Sequence, residues 1–411
     1  MVGVSTIVGD MPKYERIPGS ALSLITNSPS APTGYGVQAQ LLVDRMMRHG
    51  MNVAVQSNYG LEGSFDRIKT KHGYVDHYPK GYKPYSDDVI PIWAEDFKAK
   101  HPQAKHALMT LYDVWVYDKL EYDGDIIAYV PLDHITIPPL VRKFLERPNV
   151  IPVAMSLHGQ RLMNDRGIKN HYAPHAFDKN IYKPTYEVQG VPTRQFMGVD
   201  DDDFLISIVF ANKSNRILHR KAIDVQLAGI NLWRTQMKPD RKVKIYLHTE
   251  PTPVFGGFDI PRLMEAIGIP VDDVIFPDAQ RMRVGYPPEE LAAFYTASDL
   301  VMNATMGEGF GVTNIESQAC GAKLLTSNWT ASMDLGGPDS YLCDGEPFWN
   351  ESQGAWWMRP SLASLASGIQ LAFEAERGIS EANIEWVQQY EADYVWDTHW
   401  MPFFKEYYGT D

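Results

Sequence analysis

The segment Met306–Gly321, MGEGFGVTNIESQACG, carries the strongest structural signal in this chain of 411 residues. Gly307, Gly309 and Gly311 separate an apolar run from a helical pattern. The apolar run predicts a strand ending near Ala304, and the helix is predicted to begin at Val312 or Thr313. Glycine lets a ligand approach the backbone closely, and the free N–H groups at the start of a helix favour an anionic phosphate. The segment therefore predicts a phosphate-binding loop between a strand and a helix.

Two carboxylates of this segment, Glu308 and Glu316, stand eight residues apart, one in the loop and the other about one turn into the helix. Such carboxylates accept hydrogen bonds from hydroxyl groups, which a sugar or a ribose presents. An isolated pair would be explained by a solvated loop residue and a charge on the helix surface. The interpretation of the pair therefore depends on the rest of the chain.

Short apolar runs alternate with longer helical patterns along nearly the whole chain, which is typical of an α/β protein with parallel sheets. The alternation breaks over 183–203, where two prolines, a glycine and an acidic run predict a linker followed by a turn. A length of 411 residues also exceeds what one core usually holds. We therefore predict two α/β domains, over 1–185 and 204–390.

The composition is that of a globular, acidic protein: 38 Lys and Arg against 51 Asp and Glu leave a formal charge of −13. This balance argues against a chain built mainly to coat nucleic acid. Cys320 and Cys343 are the only cysteines, and no Cys/His cluster predicts structural zinc. The first ten residues resemble no signal or transit peptide, and no apolar run predicts a transmembrane segment. We expect a soluble, cytoplasmic protein.

The stretch 298–327 resembles the donor-binding motif of retaining nucleotide-sugar glycosyltransferases of the GT-B fold, in particular glycosyltransferase family four. The family pattern is a strand, then E-G-F-G-L/V-x-x-x-E-A-x-A-x-G, then a further strand. Here Ser317 stands in place of the usual alanine. The matching positions are Glu308, Gly309, Phe310, Gly311, Val312, Glu316, Ala319 and Gly321.

Three further stretches resemble family motifs in the same order. Thr33–Gln38 resembles the N-terminal glycine loop, Pro174–Asp178 the stretch that closes the first domain, and Asn212–Lys221 the basic stretch that begins the second. The resemblance covers roughly residues 20–375. It implies two Rossmann-like domains facing each other across a cleft, with a C-terminal helix at about 391–411 that crosses back to the first domain.

The resemblance implies that a sugar leaves a nucleotide diphosphate with retention of anomeric configuration. Preorganised cations stabilise such a leaving group, and Lys213–Lys221 holds five basic residues if His219 is protonated. We assign Lys221 to the diphosphate, and Lys213, Arg216 and Arg220 compete for the second position. The predicted donor-binding residues are Gly34, Tyr35, Gly36, Asn212, Lys213, Arg216, Arg220, Lys221, Glu308, Gly309, Phe310, Gly311, Val312, Thr313 and Glu316.

On the first domain, the predicted strand Ile126–Val130 leads into Asp133 and His134. Ligands bind at the carboxyl ends of parallel strands, and the family places a histidine in such a loop. The predicted catalytic residues are therefore His134, Asp133, Glu308 and Lys221. Tyr112 and Asp113 end the preceding strand and are candidates for the acceptor side. We predict no metal site and no required cofactor.

Other functions remain open at this stage. A sugar-nucleotide epimerase of similar fold would bind the same donor without an acceptor, and a non-catalytic module would bind it without turnover. A dinucleotide oxidoreductase is disfavoured because Gly34 and Gly36 lack the third glycine of the G-x-G-x-x-G pattern. The donor base and sugar and the oligomeric state stay open, and the acceptor is a glycan, a lipid, a protein or a modified nucleic acid.

Overall fold

The computed structural model describes residues 14–214, 218–254 and 256–410, and its first half is built on a sheet of eight strands. The strand order is β3-β4-β2-β1-β5-β6-β7-β8, and β3 alone runs antiparallel to its neighbour. The strands are β1 (Ser20–Thr26), β2 (Asn52–Ser57), β3 (Asp66–Thr70), β4 (Gly73–Tyr78), β5 (Lys105–Leu111), β6 (Ile126–Val130), β7 (Val150–Ala154) and β8 (His171–Tyr172).

Four helices cover this first sheet. The first begins at Gly34, because the Thr33 hydroxyl accepts a hydrogen bond from the Gly36 N–H at 3.1 Å and caps it. The predicted glycine loop therefore forms the first turn of a helix. The helices are α1 (Gly34–Arg48), α2 (Ile90–Lys100), α3 (Pro139–Leu145) and α4 (Leu157–Asp165).

The predicted linker contains regular structure of its own. It holds the short antiparallel pair β9 (Glu187–Val188) and β10 (Val191–Pro192), followed by α5 (Thr193–Met197). The acidic run after it forms the turn that leads into the second sheet. The bounds of the two domains, 1–185 and 204–390, stay a prediction.

The second sheet has six parallel strands in the order β13-β12-β11-β14-β15-β16. Its strands are β11 (Phe204–Val209), β12 (Val243–His248), β13 (Val274–Ile275), β14 (Leu300–Asn303), β15 (Leu324–Ser327) and β16 (Ser340–Cys343). Its helices are α6 (Ile223–Met237), α7 (Ile260–Ile267), α8 (Ala279–Val284), α9 (Pro288–Ala297), α10 (Val312–Ala319), α11 (Leu362–Glu374) and α12 (Glu381–Trp386).

A hairpin of two longer strands follows β16, where the sequence reasoning placed no element. It pairs β17 (Gly345–Asn350) with β18 (Ala355–Pro360) in antiparallel register, outside both large sheets. Aromatic residues fill both faces of this hairpin, so it lacks the apolar–polar alternation that usually reveals a strand.

The C-terminal segment returns to the first sheet, as predicted. It consists of α13 (Ala392–Val395), a π-helical turn over Trp396–Trp400, and α14 (Met401–Tyr408). Trp400 packs edge-on against Tyr129 of β6 with ring centroids 4.9 Å apart, and the Tyr408 hydroxyl donates to the Ala21 carbonyl at 3.2 Å. The chain thus passes from the first sheet to the second and back.

The two sheets share part of one apolar core. The cluster beneath α1 and the C-terminal segment is continuous with Val301 of β14, Ile315 of α10 and Leu324 of β15. This packing brings the carboxyl ends of β5 and β6 to face the loop between β14 and α10. Among the described residues, no helix has the length and apolarity needed to cross a membrane.

Candidate active site

The glycine loop between β14 and α10 contacts the loop that follows β6 on the other sheet. A Cβ at Gly307 would overlap the Asp133 carbonyl, and a Cβ at Gly309 would overlap the Pro131 ring. Gly311 has a φ of +105° at the start of α10, a conformation that suits glycine. Gly307 and Gly309 therefore allow the two loops to approach each other closely. This is a second role beside the one predicted from the sequence, which is to admit a ligand.

Glu308 lies in this loop and holds the two cations that precede α6. One of its carboxylate oxygens accepts a bond from the Lys221 ammonium at 2.5 Å, and the other accepts from the Arg220 guanidinium at 3.1 Å. Burial alone would raise the pKa of Glu308, but the charges of Lys221 and Arg220 lower it to about 2. The loop thus carries an ionised carboxylate and two cations at the boundary between the sheets.

Asp133 and His134 reach this charged cluster from the first sheet. The Asp133 carboxylate lies 3.8 Å from Arg220 Nε and 2.7 Å from His134 Nδ1. Burial opposes ionisation of Asp133, yet its pKa is lowered because His134 donates to it and Arg220 is near. Three of the predicted catalytic side chains, Asp133, Glu308 and Lys221, therefore form one cluster with Arg220.

His134 itself is enclosed rather than open to the cleft. It is 3% exposed and its ring stacks on Trp357 with centroids 4.9 Å apart. Its Nε2 lies 3.0 Å from the amide nitrogen of Asn350. Both partners come from the β17–β18 hairpin, more than 200 residues away, so no local signal in the sequence points to them.

The candidates for the second cation position differ in their distance from Glu308. Arg220 contacts Glu308 beside Lys221, whereas Lys213 is exposed and its backbone bridges to Gly256. Arg216 lies outside the described residues.

His219, which counts among the basic residues only if it is protonated, does not contribute a charge at neutral pH. It is buried between the rings of Phe210 and Phe258, at centroid distances of 5.6 and 5.2 Å. Burial in this apolar position lowers its pKa to about 4. The local positive site therefore depends on lysine and arginine alone.

Two predicted donor-binding side chains are occupied by contacts within the protein. The Asn212 amide donates to the carbonyls of Glu250 and Phe258 at 2.9 and 2.8 Å and accepts from the Phe258 N–H at 2.9 Å. Phe310 packs between His175 and Tyr390, at ring distances of 5.3 and 5.8 Å. In this structure the Asn212 side chain holds the loop between Glu250 and Phe258 through backbone hydrogen bonds. The Phe310 ring is part of the apolar core.

Glu316 lies in α10, and burial determines its pKa, whereas cations determine that of Glu308. It is 8% exposed, and burial raises its pKa to about 8 although Tyr182 hydrogen-bonds to it. Val312 and Thr313 precede it in the first turn of the same helix and are half-buried. The Glu316 carboxyl group is therefore mostly protonated at neutral pH.

The N-terminal part of α1 joins the same region through Tyr35. Its hydroxyl donates to Asp113 at 3.1 Å, and its ring lies 5.2 Å from that of Tyr112. Burial and the neighbouring Asp133 raise the pKa of Asp113 to about 6. A Cβ at Gly36 would overlap the Ala31 carbonyl. In this structure the glycine therefore allows the preceding loop to pack against the first turn of α1.

In sequence, the chain is similar to curated glycosyltransferases over part of its length, and it matches no family model. It is 27% identical over 173 residues to the D-inositol 3-phosphate glycosyltransferase of Paenarthrobacter aurescens, a stretch covering 42% of this chain and 37% of that protein. The chain thus spans about a third of the length of the curated relatives it matches.

In fold, the chain is similar to solved structures over nearly its whole length. The sucrose-phosphate synthase of Thermosynechococcus elongatus superposes with a TM-score of 0.71 at 15% identity, covering 95% of this chain and 100% of that chain. Anabaena Alr3699/HepE, in complex with UDP and glucose, superposes with a TM-score of 0.60 at 14% identity, covering 92% of this chain and 97% of that chain.

The chain therefore has the GT-B fold, as the sequence predicted. The predicted resemblance to GT-B glycosyltransferases is also confirmed. The named relatives and neighbours are glycosyltransferases, in agreement with the predicted enzyme class.

Proposed function

We propose that this protein is a retaining glycosyltransferase that moves a sugar from a nucleotide diphosphate sugar to an acceptor hydroxyl. The observation that carries the proposal is the Glu308–Lys221–Arg220 cluster, which lies at the start of α10 and faces Asp133 of the other sheet. A diphosphate would satisfy both cations, and the helix start adds free N–H groups.

The donor would lie against the second sheet. Lys221 and Arg220 would bind the diphosphate, and they would exchange part of their contact with Glu308 for the phosphate oxygens. Glu308 and the amides of Phe310–Val312 would bind the sugar, and Glu316 would bind the ribose. Anabaena Alr3699/HepE was solved with UDP and glucose, which makes UDP-glucose a suitable first donor to test.

Retention would follow from departure and attack on the same face of the sugar. The carboxylates of the cluster are engaged by cations or by His134, so none is free to serve as a covalent nucleophile. The two cations would stabilise the charge that develops on the leaving diphosphate. The first sheet would supply the acceptor side, with Tyr35, Asp113 and Asp133 at its edge.

Replacing Lys221 or Glu316 by alanine is the first test of this assignment. Transfer from UDP-glucose should fall about 100-fold for Lys221→Ala, because one preorganised donor to the leaving group is lost. Glu316→Ala should weaken UDP binding measured by calorimetry. Lys98→Ala removes an exposed lysine of α2 and serves as the charge-matched control. Wild-type rates in both site variants, with folding intact, would contradict the assignment.

The acceptor would be sought by mass analysis of reactions containing UDP-glucose. Glucose and D-inositol 3-phosphate are the first candidates, the second because the curated relative is named for it. An isomerised donor in the absence of any acceptor would indicate an epimerase instead. Binding of UDP-glucose without release of UDP under any of these conditions would indicate a non-catalytic binding protein.

A further inference from the structure

The β17–β18 hairpin is attached to the donor loop. The Met358 N–H donates to the Met306 carbonyl at 3.1 Å, and Trp329 Nε1 donates to the same carbonyl at 3.0 Å. Arg359, at the end of β18, pairs with Asp224 in the first turn of α6 at 3.4 Å. The hairpin is therefore bonded to the elements that carry Glu308 and Lys221.

The other end of the hairpin lies on the loop that follows β6. The Ile135 N–H donates to the Trp356 carbonyl at 2.8 Å, and Gly354 at the turn lies beside the ring of Pro139. Trp357 stacks on His134, and Asn350 contacts its Nε2 at 3.0 Å. One element thus connects the donor loop to the residues that flank Asp133.

The contacts around His134 define where its proton lies. Nδ1 is 2.7 Å from the Asp133 carboxylate, which only accepts, so Nδ1 carries a hydrogen. The Ser352 hydroxyl donates to Asn350 Oδ1 at 2.8 Å, which turns the amide nitrogen toward His134. That nitrogen donates, so Nε2 accepts and carries no hydrogen. A neutral imidazole with its hydrogen on Nδ1 is compatible with both distances.

We propose that the hairpin is a positioning element in which Asn350, oriented by Ser352, holds His134 as the neutral Nδ1–H tautomer and thereby turns Asp133 toward Arg220. The inference rests on the proposed function, because the position of Asp133 relative to Arg220 affects activity only if these residues belong to the site of sugar transfer. Asn350 and Ser352 act through His134 and are positioning residues. The sequence around Asn350 does not indicate this contact, since His134 and Asn350 meet only through the packing of the hairpin on the first sheet.

The charged and titratable groups around His134 come from several elements. Asp133 adjoins it on its own loop, and Asp113 faces it from the loop after β5. His158 of α4 contacts the His134 carbonyl at 2.7 Å, and Arg220 approaches Asp133 from the second sheet. With two carboxylates and one arginine nearby, the group that contacts Nε2 is the uncharged Asn350 amide.

The test is nuclear magnetic resonance of the full chain with ¹⁵N-labelled histidine near neutral pH. His134→Gln identifies the His134 signals by their loss. We expect the wild-type ring to show one protonated nitrogen, Nδ1, and Asn350→Asp to show both nitrogens protonated, because the new carboxylate accepts from Nε2. Glu351→Gln, at the turn beside it, should leave the ring unchanged.

A wild-type ring protonated at Nε2 would overturn the proposal, and this measurement needs no substrate. An unchanged ring in folded Asn350→Asp would overturn it as well. Failure of the proposed function is recognised separately, by the absence of UDP binding to the wild-type protein.

Activity measurements with UDP-glucose provide the second readout. Asn350→Asp should lower kcat about tenfold while KM for the donor stays within about twofold, since the donor contacts are intact and the arrangement around Asp133 is altered. Its activity should also depend on pH differently from that of the wild type, because the substitution places a titratable carboxyl group beside the His134 ring. A rise in KM with unchanged kcat would contradict a positioning role.

Discussion

Glu308 and Glu316 are buried carboxylates of the same loop and helix, yet their surroundings shift their pKa values in opposite directions. Lys221 and Arg220 lower the pKa of Glu308 to about 2, whereas burial raises that of Glu316 to about 8. Glu308 is therefore ionised in the unliganded protein, and Glu316 is protonated at neutral pH. If Glu316 ionises when a ribose binds, the hydrogen bonds to the ribose must offset the cost of a buried charge.

The raised pKa of Glu316 predicts a pH-dependent loss of stability. Because the folded-state pKa lies above the ordinary value of 4.5, the protonated form favours folding, and this contribution is lost as the pH rises from there through about 8. Glu316→Gln, which cannot ionise, should raise the free energy of unfolding by about 5 kcal/mol at alkaline pH and change it little near the ordinary pKa. Urea unfolding at both pH values checks this, and an equal effect at both would contradict it.

At the scale of elements, the glycine loop and the loop after β6 are in direct contact. The glycines of the donor motif appear in the sequence as room for a ligand, but Gly307 and Gly309 also make room for Asp133 and Pro131. The β17–β18 hairpin adds a second connection between the same two loops. The geometry of the site therefore depends on how closely these elements pack.

Gly307→Ala should disturb this contact. The added methyl group would overlap the Asp133 carbonyl, so the loops must separate, and we expect a loss of about 1–3 kcal/mol in the free energy of unfolding. Sugar transfer should fall with it, because Asp133 moves away from Arg220. Gly34→Ala is the stability control, since nothing lies within 4 Å of a Cβ there. Equal stability of the two variants would show that the loops are not tightly packed.

At the scale of the whole molecule, the chain closes on itself through its C-terminal segment. Arg48 of α1 pairs with Asp393 at 2.9 Å, and Trp400 packs on Tyr129 of β6. Because this segment follows the second sheet in the chain, its attachment to the first sheet links the two halves by a second crossing. The link restricts how far the two sheets can move apart.

Trp400→Ala should weaken that link. Removal of a buried tryptophan side chain costs about 3–5 kcal/mol, and thermal unfolding should show a lower Tm. Tyr394→Ala, on the exposed side of the same segment, should change the stability by less than about 0.5 kcal/mol. A small effect of both variants would mean that the segment contributes little to stability.

Much of the fold could be predicted because its signals are local. The strand Ile126–Val130 has its predicted bounds, and the strand Leu300–Asn303 ends at the predicted position near Ala304, since each is a short apolar run between turn residues. The hairpin Gly345–Pro360 was missed because its aromatic residues occupy both faces. The paired structure within 183–203 was missed because its strands are only two residues long.

The α/β class follows from the strand and helix rhythm of the sequence, and the GT-B fold and the candidates Glu308, Lys221 and Asp133 follow from the resemblance of its motifs to those of the family. Tertiary packing determines that Arg220 joins Lys221 on Glu308, that His219 is uncharged, and that Asn350 meets His134. These outcomes depend on burial and on contacts between residues up to 216 positions apart. Such contacts arise when two sheets pack together, and no local pattern encodes them.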